Sequence, residues 1–140
     1  MYTHLDTDFQ YDFTLFGLGS ESKEYKLAWA LNQSCYCHFK KQPDITLNTD
    51  LDSEALFSHF CFQKGRQIWR LLKNLAWIER EENTFLLPEL NQWDFLLLLH
   101  DPGAHICLDQ LHQSLKSIPD INSFSQISVD LLPNKDNLLF

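Results

Sequence analysis

Trp93-Asp94-Phe95-Leu96-Leu97-Leu98-Leu99 is almost continuously apolar, and Asp101-Pro102-Gly103 closes it. A run with no polar face is what a strand in the middle of a sheet requires when both of its sides are covered. Beyond the stop, Ala104, Leu108, Leu111, Leu115 and Ile118 fall at helical intervals, and Pro119 ends that helix. Residues 124–131 then return to alternation as a final strand. Before the central run, Phe9, Tyr11, Phe13 and Leu15 alternate with Gln10, Asp12 and Thr14, the period of a first strand with one buried face. Gly17-Leu18-Gly19-Ser20 breaks that pattern as a glycine turn. From Ser22 the spacing changes to Leu27, Ala28, Leu31 and Cys35, one stripe of a helix, with Glu21 and Glu24 near its first turn.

Between these landmarks, residues 36–40 fit a short strand. Residues 42–53, with Pro43 and four Asp or Asn residues before Ser53, fit a polar loop. Residues 57–62 read as a strand and Lys64-Gly65 as a turn. Residues 67–74 read as the returning strand of a hairpin, although Ile68, Leu71, Leu72 and Leu75 also match helical spacing. Residues 79–83 form a second polar connection. The expected architecture is a single α+β domain over residues 1–140. It is a two-layer sandwich with a mostly antiparallel sheet of about five to six strands and two helices. No repeat of fixed period and no low-complexity segment interrupts it.

Composition sets the classes of partner. With 44% hydrophobic and 14% aromatic residues in 140, the chain can close one core without staples. The formal charge of −8 repels phosphate backbones and anionic membrane surfaces, so neither nucleic acid nor membrane is an expected partner. Lys40, Lys41, Lys64, Arg66, Arg70 and Lys73 form no dense basic run. Met1-Tyr2-Thr3-His4-Leu5-Asp6 lacks the basic start and apolar stretch of a signal peptide, and the run at Leu99 is too short to span a bilayer. The expected location is therefore cytoplasmic. There Cys35, Cys37, Cys61 and Cys107 read as buried apolar side chains rather than disulfides.

Just upstream of the central run stands Leu87-Pro88-Glu89-Leu90-Asn91-Gln92-Trp93-Asp94-Phe95. It resembles the signature of the IPExxxVDY proteins, a bacterial family associated with Bacteroidetes-like bacteria. Pro88, Glu89 and Asp94 match, while Leu, Trp and Phe replace the motif's Ile, Val and Tyr. Phe13-Thr14-Leu15, the stretch Tyr25-Lys26-Leu27-Ala28-Trp29-Ala30-Leu31-Asn32 and the end Asn137-Leu138-Leu139-Phe140 extend the likeness over most of the chain. The resemblance implies no activity, substrate or cofactor. Phe95 also lacks the hydroxyl of the motif's Tyr, so no phenol can serve there as acid or donor.

Glu89 and Asp94 admit two readings. As a functional pair they would bind a ligand or share acid/base work, since apolar neighbours would desolvate Asp94. As structural groups each would accept backbone N–H bonds or meet a cation at the start of the central strand, and this reading is favoured. Gly17-x-Gly19 suggests a phosphate cradle, but Ser22 replaces a third glycine and Glu21 and Glu24 oppose an anion, so a plain turn is expected. His105, Asp109 and His112 share a helical face and would need a further ligand to hold a metal, and a solvated polar face is the simpler reading. Cys35-Tyr36-Cys37-His38 would place two thiols on one face of a strand, again as packing groups. No metal and no cofactor is expected, and no catalytic motif is complete. The apolar end Leu138, Leu139 and Phe140 fits a partner's groove or, in preference, docks on its own domain as a closing strand extension. Together these features fit a non-enzymatic interaction module that binds a protein partner or its own copy through aromatic surface and sheet edge. The alternative is a small ligand-binding domain or enzyme built on Glu89 and Asp94.

Overall fold

The structure is a computed structural model that describes residues 12–48, 54–77 and 84–140. Its strands and helices follow in the order β1 (Thr14–Gly19), α1 (Glu24–Cys35), β2 (Lys40–Asn48), β3 (Glu54–Lys64), β4 (Gln67–Lys73), β5 (Phe95–His100), α2 (Leu108–Ser117) and β6 (Ser123–Ile127). The six strands form one sheet in the order β2-β3-β4-β5-β1-β6, and every neighbouring pair is antiparallel. This is the expected α+β fold.

The apolar run becomes β5, in the interior of the sheet, because both of its faces are buried. Phe95, Leu97 and Leu99 point to the side covered by the helices, while Leu96 and Leu98 point to the other. At about 2 kcal/mol per buried side chain, these five residues contribute on the order of 10 kcal/mol of hydrophobic transfer, most of which offsets chain ordering. On the helical side, Leu27, Ala28, Ala30 and Leu31 of α1 and Leu111 and Leu115 of α2 close over Phe16, Phe60, Trp69 and Leu71. The opposite face carries Leu15, Phe57, Leu72, Leu96 and Leu98, and among the described residues no helix of regular length lies over it. Irregular chain covers it, through Leu86, Leu87, Leu90, Val129, Leu132 and Leu138.

Several boundaries differ from the sequence reading. The first strand is β1, so Gly17 and Gly19 lie inside a strand and not in a turn, while Phe9 and Tyr11 fall outside the described residues. Both glycines are there because side chains sit where a Cβ would be: the Trp93 indole on Gly17 and Ser123 Oγ on Gly19. Residues 36–39 are not a strand, since Tyr36 caps α1 in the left-handed conformation (φ 55°). The loop expected over 42–53 is largely strand β2, and residues 49–53 lie outside the described residues. Pro43 is tolerated because β2 is an edge and its register with β3 shifts between Gln42 and Ile45. The hairpin holds as expected, with Gly65 at φ 59° in its turn and β4 as the returning strand. Helix α2 begins at Leu108, because Ala104 has φ 51°. The last strand stops at Ile127, and Val129–Leu131 forms a 3-10 turn that tucks Val129 under the sheet. The polar connection at 79–83 lies outside the described residues.

Candidate functional site

Approaching β5, the chain makes a 3-10 turn at Pro88–Leu90, with Pro88 where a helical turn needs no N–H. Leu87 and Leu90 anchor the turn in the non-helical face of the core. Its organiser is Asn74, fully buried just past β4. The Asn74 Nδ2 group donates to the carbonyls of Leu90 (3.0 Å), Trp93 (3.2 Å) and Leu87 (3.4 Å), and Oδ1 accepts the Leu87 N–H at 2.8 Å. The Asn74 main chain adds bonds from Leu86 N–H (2.7 Å) and to Asp94 O (3.0 Å). One residue, through its side chain and main chain together, thus fixes the course of residues 86–94.

The two motif carboxylates are turned to different segments. Glu89 Oε2 accepts the Asn134 N–H at 2.6 Å and Oε1 accepts the Asn134 side-chain amide at 3.0 Å. Partial burial pushes the Glu89 carboxyl up, but the bonds from Asn134 N–H, from its own N–H and from the Asn134 amide outweigh that and leave it below the usual range. Asn137 Nδ2 donates to Leu86 O at 2.8 Å, so the C-terminal stretch is tied both to the motif at Glu89 and to the residue that precedes it. Asp94 Oδ2 accepts the Ser20 N–H at 2.9 Å, while the Asp94 N–H donates to Leu18 O at 3.1 Å. The structure therefore ties Glu89 to the C-terminal segment and Asp94 to the end of β1. Surface clefts of about 220, 560, 690 and 200 Å³ occur elsewhere, and neither carboxylate lines any of them.

The remaining candidates are also placed. His105 precedes α2 and lies over Gly103, so it does not share a helical face with Asp109 and His112. His112 packs edge-on to Phe16 (5.5 Å) and Phe124 (5.7 Å). Among the described residues no group of three His, Cys, Asp or Glu side chains is arranged to hold a metal. The four cysteines are free thiols, but only Cys37 is buried. Cys35 and Cys61 are half-buried, and Cys107 is exposed because it sits outside the core as the residue capping α2. Burial pushes the Cys35 thiol up to about 11, against a lowering bond from Ser114, and burial with the neighbouring Cys35 pushes Cys37 up to about 12. Neither is an activated nucleophile. Leu138 is buried beneath the sheet, while Leu139 and Phe140 are partly exposed. This end docks on its own domain through a 3-10 turn, Lys135–Leu138, rather than as a strand. Phe140 covers His59 (5.2 Å between rings) and meets the Arg70 guanidinium at 5.1 Å.

What sequence reasoning missed is the outer face of α1. Tyr25 and Trp29, four residues apart, are each 64% exposed, and Tyr36 at the helix end is 88% exposed. The signal was present, since the Leu27, Ala28, Leu31 stripe leaves positions 25 and 29 on the opposite side. Among the described residues no helix is long and apolar enough to cross a membrane. Comparison with protein-family models, curated proteins and solved structures finds no match to the chain.

Proposed function

We propose that this chain is a non-enzymatic, cytoplasmic interaction module that engages a protein partner through the outer face of α1. The observation that carries the reading is the exposed Tyr25, Trp29 and Tyr36 stripe. Large aromatic side chains held on a rigid element give much contact area for little lost side-chain freedom, and Trp and Tyr dominate binding energy at interfaces. Lys23 and Lys26 flank Tyr25 and are exposed, while Glu24 is turned toward Ser58 (3.3 Å) and Lys73 (3.6 Å). An apolar and acidic partner surface complements that face. A second copy complements it less well, since each copy brings a charge of −8.

The alternative, a ligand or acid/base site at Glu89 and Asp94, gains no support from their placement against Asn134 and Ser20. The likeness of residues 87–95 to the IPExxxVDY signature is compatible with the interaction reading, because these carboxylates act within the fold. Membership of that family is proposed on the match of Pro88, Glu89 and Asp94. To test the interaction reading, wild type and a Tyr25→Ala, Trp29→Ala double variant are used as bait in native lysate. Melting should be unchanged in the variant, because both side chains are solvent-facing. A protein retained stoichiometrically by wild type and lost from the variant is expected. Identical recovery by both baits, or recovery of nothing, overturns the reading.

A further inference from the structure

The two edges of the sheet are built differently. Edge β2 carries Lys40, Lys41, Pro43 and a register shift, all features that stop a strand from being extended by another chain. Edge β6, Ser123-Phe124-Ser125-Gln126-Ile127, has no charge and no proline, and its register with β1 is unbroken from Ser123 to Ile127. Among the described residues β6 pairs only with β1. Its outer side presents main-chain N–H and C=O groups to whatever lies alongside.

What lies alongside is a groove of about 560 Å³ between β6 and α2. Ile121 and the half-buried Phe124 supply its accessible apolar lining over the fully buried Leu115, and Lys116, exposed at the end of α2, is the only Lys, Arg, Asp or Glu among the lining residues. The nearby Asp120 is engaged, accepting the Ser22 hydroxyl at 2.7 Å. The helix wall also contains His112, whose buried Nε2 has no hydrogen-bond partner among the described residues.

We infer that this groove binds an extended peptide segment of a partner protein, added to the sheet as a further strand beside β6, with apolar side chains and a carboxylate directed at α2. Backbone pairing with the edge supplies affinity for any extended chain, and alternate side chains, which point to one face, supply the selection. Those directed at α2 meet Phe124 and the edge of Ile121, and a carboxylate among them meets Lys116. A second copy of this chain is a poorer occupant, because its own β6 has no acidic residue to offer Lys116. The inference uses a different surface from the α1 face and stands or falls separately from it.

The experiment uses the full chain and a labelled peptide, acetyl-Val-Thr-Glu-Thr-Val-amide, which places both valines and the glutamate on one face of a strand. Binding is followed by anisotropy and by the amide resonances of the protein. Expected are shifts confined to β6 and to the His112 to Lys116 side of α2. A peptide N-methylated at alternate amides should lose about ten-fold or more in affinity, since it cannot complete the backbone pairing. Replacing the peptide's glutamate by lysine should weaken binding by about five-fold, and Lys116→Glu should reverse that order. Lys116 is on the surface, so this variant keeps its fold. Absence of binding, shifts at another site, or equal affinity of the N-methylated peptide would overturn the inference. So would β6 amides that become protected with rising protein concentration and no peptide, which would mark self-pairing instead.

Discussion

A buried asparagine holds the segment that the sequence marks as a motif, and its bonds rank the neighbouring side chains by consequence. Asn74→Ala removes the side-chain partners of Leu87, Leu90 and Trp93 in a site without solvent. Buried polar groups left unpaired cost about 1–3 kcal/mol each, so a loss of about 3 kcal/mol in chemical denaturation is expected even after partial relaxation. A loss below about 1 kcal/mol would show that the segment is held by its leucines instead. Asp94→Asn should cost less, about 1 kcal/mol, because Asp94 is exposed and an amide oxygen can still accept the Ser20 N–H without the charge. A melting temperature indistinguishable from wild type would return Asp94 to the list of groups available for chemistry. That each of the two carboxylates accepts a backbone N–H was legible from their position near the start of an apolar strand. Asn74 was not, because its partners lie 13 to 19 residues away and nothing in its own neighbourhood reports them.

At the level of elements, helical spacing located both helices, and the hairpin pattern and the apolar run located β3, β4 and β5, while boundaries governed by distant contacts were hidden. Gly17 and Gly19 read locally as a turn, yet the ring of Trp93 and the hydroxyl of Ser123 make them strand residues. Pro43 and its acidic neighbours read as loop because edge position, which excuses a proline, is a property of the assembled sheet. The end of α1 follows the same logic. Tyr36 occupies the left-handed region (φ 55°, ψ 39°), where a side chain costs about 1 kcal/mol and glycine little. Tyr36→Gly should therefore stabilise the domain by up to about 1 kcal/mol, whereas Tyr36→Ala, which keeps a Cβ, should not. Equal melting temperatures for the two variants would mean that the strain is absorbed elsewhere in the cap.

For the molecule as a whole, the most informative variable is pH, because one buried histidine and the net charge push stability in opposite directions. His59 is 6% exposed, lies beside Arg70 (Nε2 to the guanidinium, 2.9 Å) and is capped by Phe140. Burial first, then repulsion from Arg70, lowers its pKa to about 4, against weaker raising effects from the Pro43 backbone and Asp44. Between that value and the ordinary histidine pKa of about 6.5, the unfolded chain binds a proton that the folded chain refuses. Stability from this residue is then complete above about pH 6.5 and is lost as pH falls toward 4. The chain's overall charge works the other way, since approach to its isoelectric point near 5.0 relieves self-repulsion. The difference between wild type and His59→Gln separates the two. Urea denaturation from pH 7 to pH 4.5 should show wild type losing stability relative to the variant, whatever the absolute trend of either. Phe140→Ala, which opens His59 to water, should reduce that relative loss without abolishing it. Parallel curves for wild type and His59→Gln would show that His59 takes up its proton in the folded state as readily as in the unfolded one, and that the Phe140 cap does not exclude water from it.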